Sequence, residues 1–274
     1  MEIRTILVNL DLDFYSPTLL KAAVELADRF DAQLIGVAAA AVPVELFAVD
    51  GTAVVADLYD SERAAIEEQL RGMEMKFRDE VPRPRRGTFA TVLDEPNRVL
   101  TAAARQADLV IVGARLGEQE WSRSRNVDIG ALLLASGRPV LLPAADTASI
   151  GTGTAVVGWK DTRETRRAVA DALPLLKLSS DVVVAAVHEA DWRTEKAMVD
   201  EVVGWLRRHD VKARGDIYPS AGGASSSLEQ LAIDLEADLL VAGAYGHGRM
   251  REWFFGGVTR DLLQAATINR LMSN

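Results

Sequence analysis

The sequence predicts an α/β fold made of two tandem, doubly wound, parallel five-stranded sheets. Its 274 residues exceed the usual size of one domain, which is about 100 to 150 residues. The chain also aligns with itself, and each half alternates short β-branched runs with segments of helical periodicity. Such alternation is typical of a parallel sheet with helices on both faces.

Two alignments of the chain with itself define the repeat. Asp11 falls on Asp161 at an offset of 150 residues, and segment 107–114 falls on segment 237–244 at an offset of 130 residues. The first half therefore carries 20 additional residues, which we place near 41–60 because that stretch has no counterpart.

The halves are expected to meet in segment 144–152, which is rich in glycine, threonine and alanine. This boundary divides the chain into a first domain over residues 1–146, which contains the insertion, and a second domain over residues 147–274.

In the second half, strands are predicted at Ala155–Trp159, Asp181–Val187, Lys212–Tyr218, Asp238–Ala242 and near Ile268–Met272. For the strand order 3-2-1-4-5, ligands bind at the carboxyl ends of strands one and four, where the direction of winding reverses. Asp161 follows strand one and Gly243 follows strand four. We therefore expect these two residues to face each other across one crevice.

The composition excludes several classes of protein. A net charge of −9 argues against a protein whose main partner is a nucleic-acid backbone, and the absence of cysteine excludes disulfides and thiolate metal sites. The longest apolar stretch, Leu34–Val44, has eleven residues and is too short to span a membrane. The chain begins unlike a signal peptide, so we expect a cytoplasmic protein that binds neither nucleic acid nor membrane.

Segment 243–259 is the strongest candidate for a ligand site. Gly243 and Gly246 follow an apolar run, and Gly256 and Gly257 stand where helical spacing begins. Glycines let backbone amides form a concave nest for anionic oxygens, and a helix N-terminus favours phosphate. Any single glycine here would be better explained by a tight loop, but three at this spacing, after a strand and before a helix, predict a site for an anionic ligand.

The position of Asp161, together with the pattern Gly-x2-Gly-x9-Gly from Gly243 to Gly256 and the following Val258 and Thr259, resembles the universal stress protein family. The resemblance covers nearly the whole chain, as a tandem pair of domains. It implies an adenine nucleotide alpha hydrolase-like fold and a ligand that is an adenine nucleotide, ATP or AMP, with or without Mg²⁺.

The family's nucleotide-binding branch implies a role for each matching residue. Asp161 would contact ribose, and Val187, on which the first offset places Val37, would lie near adenine. The residues implied along the phosphate chain are Gly243, Gly246, Gly256, Gly257, Val258 and Thr259. His247 and Arg249, in the same loop, would supply compensating charge.

Two departures from the family pattern bear on binding. Gly257 stands where the family usually has Ser, Thr or Asn, which removes one hydroxyl from the phosphate nest. In the first half, the positions of the binding residues are occupied by Leu116, Asn126, Val127 and Ile129. We therefore predict at most one nucleotide site per chain, in the second half.

The family also implies that the two domains pair through their last strands, with Val140–Leu142 beside Ile268–Met272. The tandem chain would thus form an intrachain pseudo-dimer. A further homodimer and an unidentified protein partner are both compatible with the sequence.

Two polar clusters have simpler explanations than ligand binding. The run Asp161-Thr-Arg-Glu164 has the spacing of a capping box, which would make Asp161 the N-cap of the next helix, and Asp11 is expected to cap its helix in the same way. His188, Glu189 and Asp191 follow strand two, where loop polarity explains them better than a metal site.

No enzymatic motif is evident. The chain has neither a Gly-x4-Gly-Lys-Ser/Thr run nor a Gly-x-Ser-x-Gly elbow, and it has only three histidines. We therefore predict a cytoplasmic, nucleotide-binding responder to stress or energy state, with at most slow ATP hydrolysis. The alternatives are a structural or interaction protein that binds no nucleotide and, less favoured, an enzyme of the adenylate-forming or electron-transfer-flavoprotein type.

Overall fold

The structure is a computed structural model. It describes residues 2–43, 53–81, 87–113, 122–145, 147, 150–188, 192–220, 223–244 and 267–274. Within these residues, ten strands form one mostly parallel sheet, and seven α-helices cover its two faces.

The first half contains β1 (Thr5–Asn9), α1 (Pro17–Arg29), β2 (Gln33–Ala40), α2 (Ala53–Glu80), β3 (Gly87–Leu93), α3 (Pro96–Ala103), β4 (Leu109–Ile111), α4 (Ile129–Ala135) and β5 (Val140–Leu142). The second half contains β6 (Thr154–Gly158), α5 (Arg163–Leu176), β7 (Asp181–His188), α6 (Trp192–Arg208), β8 (Ala213–Pro219), α7 (Ala224–Asp234), β9 (Ala237–Gly243) and β10 (Arg270–Ser273).

The strand order along the sheet is β3-β2-β1-β4-β5-β10-β9-β6-β7-β8. Each half therefore has the predicted order 3-2-1-4-5, with parallel pairing throughout. The two halves join where β5 and β10 pair antiparallel, with Leu141 opposite Leu271. The predicted fold class and the predicted pairing of the last strands are both confirmed.

An aspartate at the start of the fourth strand makes the same contacts in both halves. Asp108 Oδ2 accepts hydrogen bonds from the backbone N–H groups of Arg4 (2.8 Å) and Thr5 (3.0 Å). Asp238 Oδ2 accepts them from Thr152 and Gly153, both at 2.9 Å. These aspartates tie strand four to the start of strand one in each half.

The two faces of the sheet pack into separate apolar layers. One layer includes residues of α1, α2, α5 and α6, and the other includes residues of α3, α4 and α7. α2 has 28 residues, whereas its counterpart α6 has 17. Residues 56–61 at the start of α2 are exposed on every side, so the body of the protein begins to hold this helix only further along.

The strand pairing corrects one alignment made from sequence. Val37 pairs with Asn9 at the end of β1, whereas the residue that pairs with Gly158 at the end of β6 is Ala185. Val37 therefore corresponds to Ala185, two residues before Val187. The constant offset of 150 was wrong here because the segment that joins the aspartate to this strand position is two residues longer in the first half.

The insertion predicted near 41–60 lies partly outside the described residues, and the domain boundary stays a prediction. Among the residues that the structure does describe, no helix combines the length and the apolar character needed to cross a membrane.

Candidate functional site

The candidate crevice of the second half lies at the carboxyl ends of β6 and β9. β6 pairs with β9 up to Gly158 and Ala242, so the next residue of β9, Gly243, lies beside the connection that leads to Asp161. This is the edge of the sheet at which doubly wound proteins bind ligands.

Asp161 does not cap α5, contrary to the capping box expected from sequence. The N-cap is Thr162, whose hydroxyl oxygen accepts a hydrogen bond from the N–H of Thr165 at 3.2 Å. Glu164 is buried and pairs with Arg163. The helix begins one residue later than predicted, because the Thr162 hydroxyl accepts from an N–H group of the first turn and takes the capping position expected for Asp161.

The side chain of Asp161 is bound instead by Arg166. Arg166 donates from Nε (2.9 Å) and from Nη2 (2.7 Å) to the same oxygen, Oδ1. The Arg166 side chain is 60% exposed and the Asp161 side chain is 42% exposed. An ion pair this open to solvent contributes about 0 to 1 kcal/mol, so a ligand can displace the guanidinium at little cost.

Gly243 is required by close packing. A Cβ placed on it would lie 2.5 Å from the backbone N of Thr165 and 2.8 Å from the backbone carbon of Glu164. The glycine therefore allows the first turn of α5 to approach the end of β9. This packing role accounts for Gly243 without reference to a phosphate, and it brings the N-terminus of α5 to the crevice.

The backbone of Val187 faces the crevice. Two residues earlier, the carbonyl of Ala185 accepts a hydrogen bond from the N–H of Trp159 at 2.8 Å. Backbone groups alternate sides along a strand, so the N–H and C=O of Val187 point to the same side as those of Ala185, beyond the end of β6 at Gly158. An adenine edge could form hydrogen bonds with groups in this orientation.

The remaining predicted site residues lie outside the described part of the chain. They are Gly246, His247, Arg249, Gly256, Gly257, Val258 and Thr259. Their assignment to the phosphates of a nucleotide stays a prediction. Glu189 and Asp191, set aside above as loop residues, also lie outside it.

The corresponding crevice of the first half is filled by the protein itself. Asp11 Oδ1 accepts hydrogen bonds from the backbone N–H groups of Asp13 (3.0 Å) and Phe14 (3.1 Å) and from Asn126 Nδ2 (3.1 Å). A cavity of only about 20 Å³ remains. This volume accommodates one water molecule and no nucleotide. Eight residues line the cavity: Asn9, Asp11, Phe14, Val112, Gly113, Asn126, Val127 and Ile129.

Asp11 is also not a helix cap. Ser16 caps α1, with its hydroxyl oxygen 3.3 Å from the N–H of Leu19, and Pro17 occupies the first helical turn. Asp11 instead closes an Asx turn with its own loop. The loop between β1 and α1 is too long for an aspartate placed directly after the strand to reach the helix.

The two carboxylates of the first-half crevice, Asp11 and Asp13, have pKa values shifted in opposite directions. Burial raises the pKa of Asp11, although its hydrogen bonds from the Asp13 and Phe14 backbone and from Asn126 oppose the shift. The Arg125 guanidinium, bound to both oxygens of Asp13, lowers the pKa of that carboxyl. Asp13 is therefore the carboxylate held firmly in its charged form.

Sequence reasoning missed the partners of both aspartates. Arg166 was not among the predicted site residues, and Asn126 was expected only to replace a binding residue. The spacing of five residues between Asp161 and Arg166 gave a weak signal for the ion pair. No local signal could reveal the contact of Asn126, since it joins residues 115 positions apart.

Solved structures with the same fold cover nearly the whole chain. A universal stress protein from Archaeoglobus fulgidus DSM 4304 has a TM-score of 0.70 and 14% sequence identity, over 98% of this chain and 96% of that one. A protein from Pseudomonas aeruginosa UCBPP-PA14 assigned to the universal stress proteins has a TM-score of 0.61 and 16% identity, over 99% and 93% of the two chains.

A protein of unknown function from Pseudomonas aeruginosa PAO1 has a TM-score of 0.57 and 16% identity, over 99% of this chain and 92% of that one. Comparisons with protein-family models and with curated protein sequences give no match. The chain therefore has the universal stress protein fold in a tandem, single-chain arrangement, as the resemblance implied.

Proposed function

We propose that this chain is a tandem universal stress protein that binds one adenine nucleotide, ATP or AMP, in its second half. One observation carries the proposal: the family's ribose-binding aspartate is accessible in the second half and internally satisfied in the first. Asp161 is 42% exposed and held by a solvent-exposed arginine, whereas Asp11 is bound by Asn126 beside a cavity of about 20 Å³.

The described residues supply two of the expected contacts. The Asp161 carboxylate would accept hydrogen bonds from ribose hydroxyls, and the Val187 backbone would bind the adenine edge. Glycines and charged residues of segment 245–259 would hold the phosphates, together with any Mg²⁺. Binding, with at most slow hydrolysis of ATP, would report energy or stress state in the cytoplasm to a protein partner.

Calorimetric titration with ATP and with AMP tests the proposal directly. We expect one site per chain. Asp161→Ala should weaken binding by about tenfold or more, since a hydrogen bond to a charged group contributes about 1.5 to 3 kcal/mol. Asp11→Asn is the matched control and should leave the affinity unchanged. Two equivalent sites, or equal losses in both variants, would contradict the assignment.

A loop variant tests the residues that lie outside the described part of the chain. Gly246→Leu introduces the residue found at the equivalent first-half position, Leu116. Its side chain should block close approach of the loop backbone to a phosphate, and nucleotide affinity should fall. Unchanged affinity for ATP in this variant would remove the loop from the site.

A structural protein that binds no nucleotide is the second candidate. The packing of Gly243 against Thr165 and the ion pair of Asp161 with Arg166 favour it, because both explain a predicted site residue without a ligand. The absorbance ratio at 260 and 280 nm, and mass spectrometry of the denatured purified protein, distinguish the two. Retained nucleotide supports the first function. A sample without nucleotide that gives no heat with ATP or AMP supports the second.

A further inference from the structure

Residues 122–126, Ser-Arg-Ser-Arg-Asn, occupy the first-half crevice, and we refer to them as the plug. Asn126 lies at its base, 99% buried. Its Nδ2 donates to Asp11 Oδ1 and to Asp13 Oδ2, both at 3.1 Å, and its Oδ1 accepts from the N–H of Ser122 at 2.8 Å. The amide nitrogen of Asn126 thus binds the two aspartates of the crevice, and its oxygen binds the backbone of the plug.

The plug also binds the end of strand two. The carbonyl of Ser124 accepts a hydrogen bond from the N–H of Ala41 at 2.6 Å. The carbonyl of Val37 accepts from Leu10 of the strand-one connection, so by alternation the N–H of Ala41 points to the same side, toward the crevice. The corrected alignment makes Ala39 the counterpart of Val187. The plug therefore covers a backbone donor on the same side of strand two, two residues beyond the position of the candidate base-binding edge.

Charged groups at the rim hold the plug in place. Arg125 donates to Asp13 (2.7 Å from Nη2 to Oδ1) and to Gln69 of α2 (2.8 Å). Arg123 pairs with Glu95, the residue before α3, at 3.1 Å. The plug is therefore attached to the β1–α1 loop, to the end of β2, to α2 and to the N-terminus of α3. These four attachment points are far apart in sequence.

We propose that the plug is a built-in ligand of the first-half crevice. The Asn126 amide stands where a ligand hydroxyl would donate to the aspartate, and the Ser124 carbonyl stands where a ligand acceptor would meet strand two. A buried amide that donates to a half-buried carboxylate is costly to remove, because the carboxylate would lose one of its three donors where little water can replace it. The first half is thus held in a permanently occupied form.

Asn126→Ala tests this inference in the full chain, with Asn97→Ala as the matched control. Asn97 makes two bonds to Asp128, next to the plug: Nδ2 donates to the carbonyl (2.8 Å), and Oδ1 accepts from the N–H (2.7 Å). Both variants lose side-chain bonds to the same region. Only Asn126→Ala removes a group from the crevice.

Hydrogen exchange read by mass spectrometry provides the measurement. In Asn126→Ala, peptides that contain the amides of Asp13, Phe14 and Ala41 should exchange roughly fivefold or more faster, as expected for about 1 kcal/mol lost locally. In Asn97→Ala, exchange of those peptides should stay at the wild-type rate. Unchanged exchange in Asn126→Ala, or equal acceleration in both variants, would overturn the proposal.

Arg125→Lys provides a second test if Asn126→Ala does not fold. Lysine keeps the charge but cannot bind both oxygens of Asp13 and Gln69 together. The rim contact should weaken while Asn126 remains in place, so exchange should accelerate at Asp13 and stay slow at Ala41. Equal acceleration at both amides would show that the plug is held from its rim alone, and would reject the role assigned to Asn126.

Discussion

The two halves hold the same aspartate in opposite ways. Asp11 is half-buried, and a neutral carboxamide supplied by a residue 115 positions away satisfies it. Asp161 is exposed, and a charged arginine five positions away on the next helix pairs with it. The same fold can therefore close the crevice around this aspartate with a buried hydrogen-bond donor, or leave the aspartate accessible in a weak ion pair.

The last strands differ between the halves in a second way, and this difference gives the largest expected change in stability. Arg270 of β10 corresponds by the local two-fold pairing to Val140 of β5, yet only 1% of its surface is exposed. Its Nη2 lies 3.4 Å from Glu229 Oε1, and among the described residues its Nε has no hydrogen-bond partner.

Arg270→Met should therefore stabilise the protein. Burial lowers the pKa of Arg270, which shows that the charged form is disfavoured at this position. Replacing a buried ion pair with apolar side chains is often neutral or gains about 1 to 4 kcal/mol, and here the Glu229 side chain is 25% exposed, so solvent can hydrate it once the arginine is removed. Urea denaturation would measure the gain, with Met272→Leu on the same strand as control. A loss of stability in Arg270→Met would mean that the guanidinium is well paired.

The glycines that end the fourth strands provide the next comparison. A Cβ on Gly243 would lie 2.5 Å from a backbone nitrogen, whereas a Cβ on Gly113 would come no closer than 3.5 Å, to Leu19 Cδ1. Gly243→Ala should cost about 1 to 3 kcal/mol because α5 must move. Gly113→Ala should stay within about 0.5 kcal/mol of wild type. Equal costs by thermal denaturation would refute the packing role of Gly243.

These comparisons show how much of the molecule the sequence could predict. The strand order, the parallel pairing and the pairing of Val140–Leu142 with the last strand follow from periodicity, from the internal repeat and from the family resemblance. Those signals are local or repeated, so they survive without knowledge of side-chain contacts. The two helix caps were mispredicted because the hydroxyls of Ser16 and Thr162 lie closer to the first turn of each helix and take the capping role expected of the aspartates.

The partners of the site could not be predicted for a different reason. Asn126 reaches Asp11 only because β4 lies beside β1 in the folded sheet, and the exposure of Asp161 depends on the packing around α5. Substitution of a glycine by Asn126 indicated that a nucleotide cradle was lost. It did not indicate that the new side chain would satisfy the aspartate in place of a ligand.

We expect the loss of stability at acid pH to arise mainly in the first half. Arg125 lowers the pKa of Asp13, so the contribution of this pair is present above the ordinary aspartate value of 3.8 and is lost as pH falls through the lower folded value. Asp13→Asn should remove about 1 kcal/mol at neutral pH and flatten the loss below pH 3.8. Denaturation measured across this pH range checks the prediction. If the pair does not contribute, Asp13→Asn will lose stability with falling pH as steeply as the wild type.

Asp11 should oppose this trend slightly, because its pKa is raised. A raised carboxyl pKa adds stability that is complete below 3.8 and is lost as pH rises through the folded value. Asp11→Asn should remove this component while the amide oxygen still accepts the bonds from Asp13, Phe14 and Asn126. The double variant Asp13→Asn with Asp11→Asn should therefore show the flattest profile.

The smallest effect is expected at the arginines that pair with an aspartate of each crevice, Arg166 with Asp161 and Arg125 with Asp13. Arg166→Ala should change stability by less than about 0.5 kcal/mol, because an exposed ion pair is screened and costs side-chain entropy. Arg125→Ala should cost about 1 to 2 kcal/mol, since Arg125 is 19% exposed and binds both Asp13 and Gln69. Thermal denaturation of the two variants compares them directly. If Arg166→Ala were the more destabilising, Asp161 would be a structural residue, and a ligand could not displace its partner at little cost.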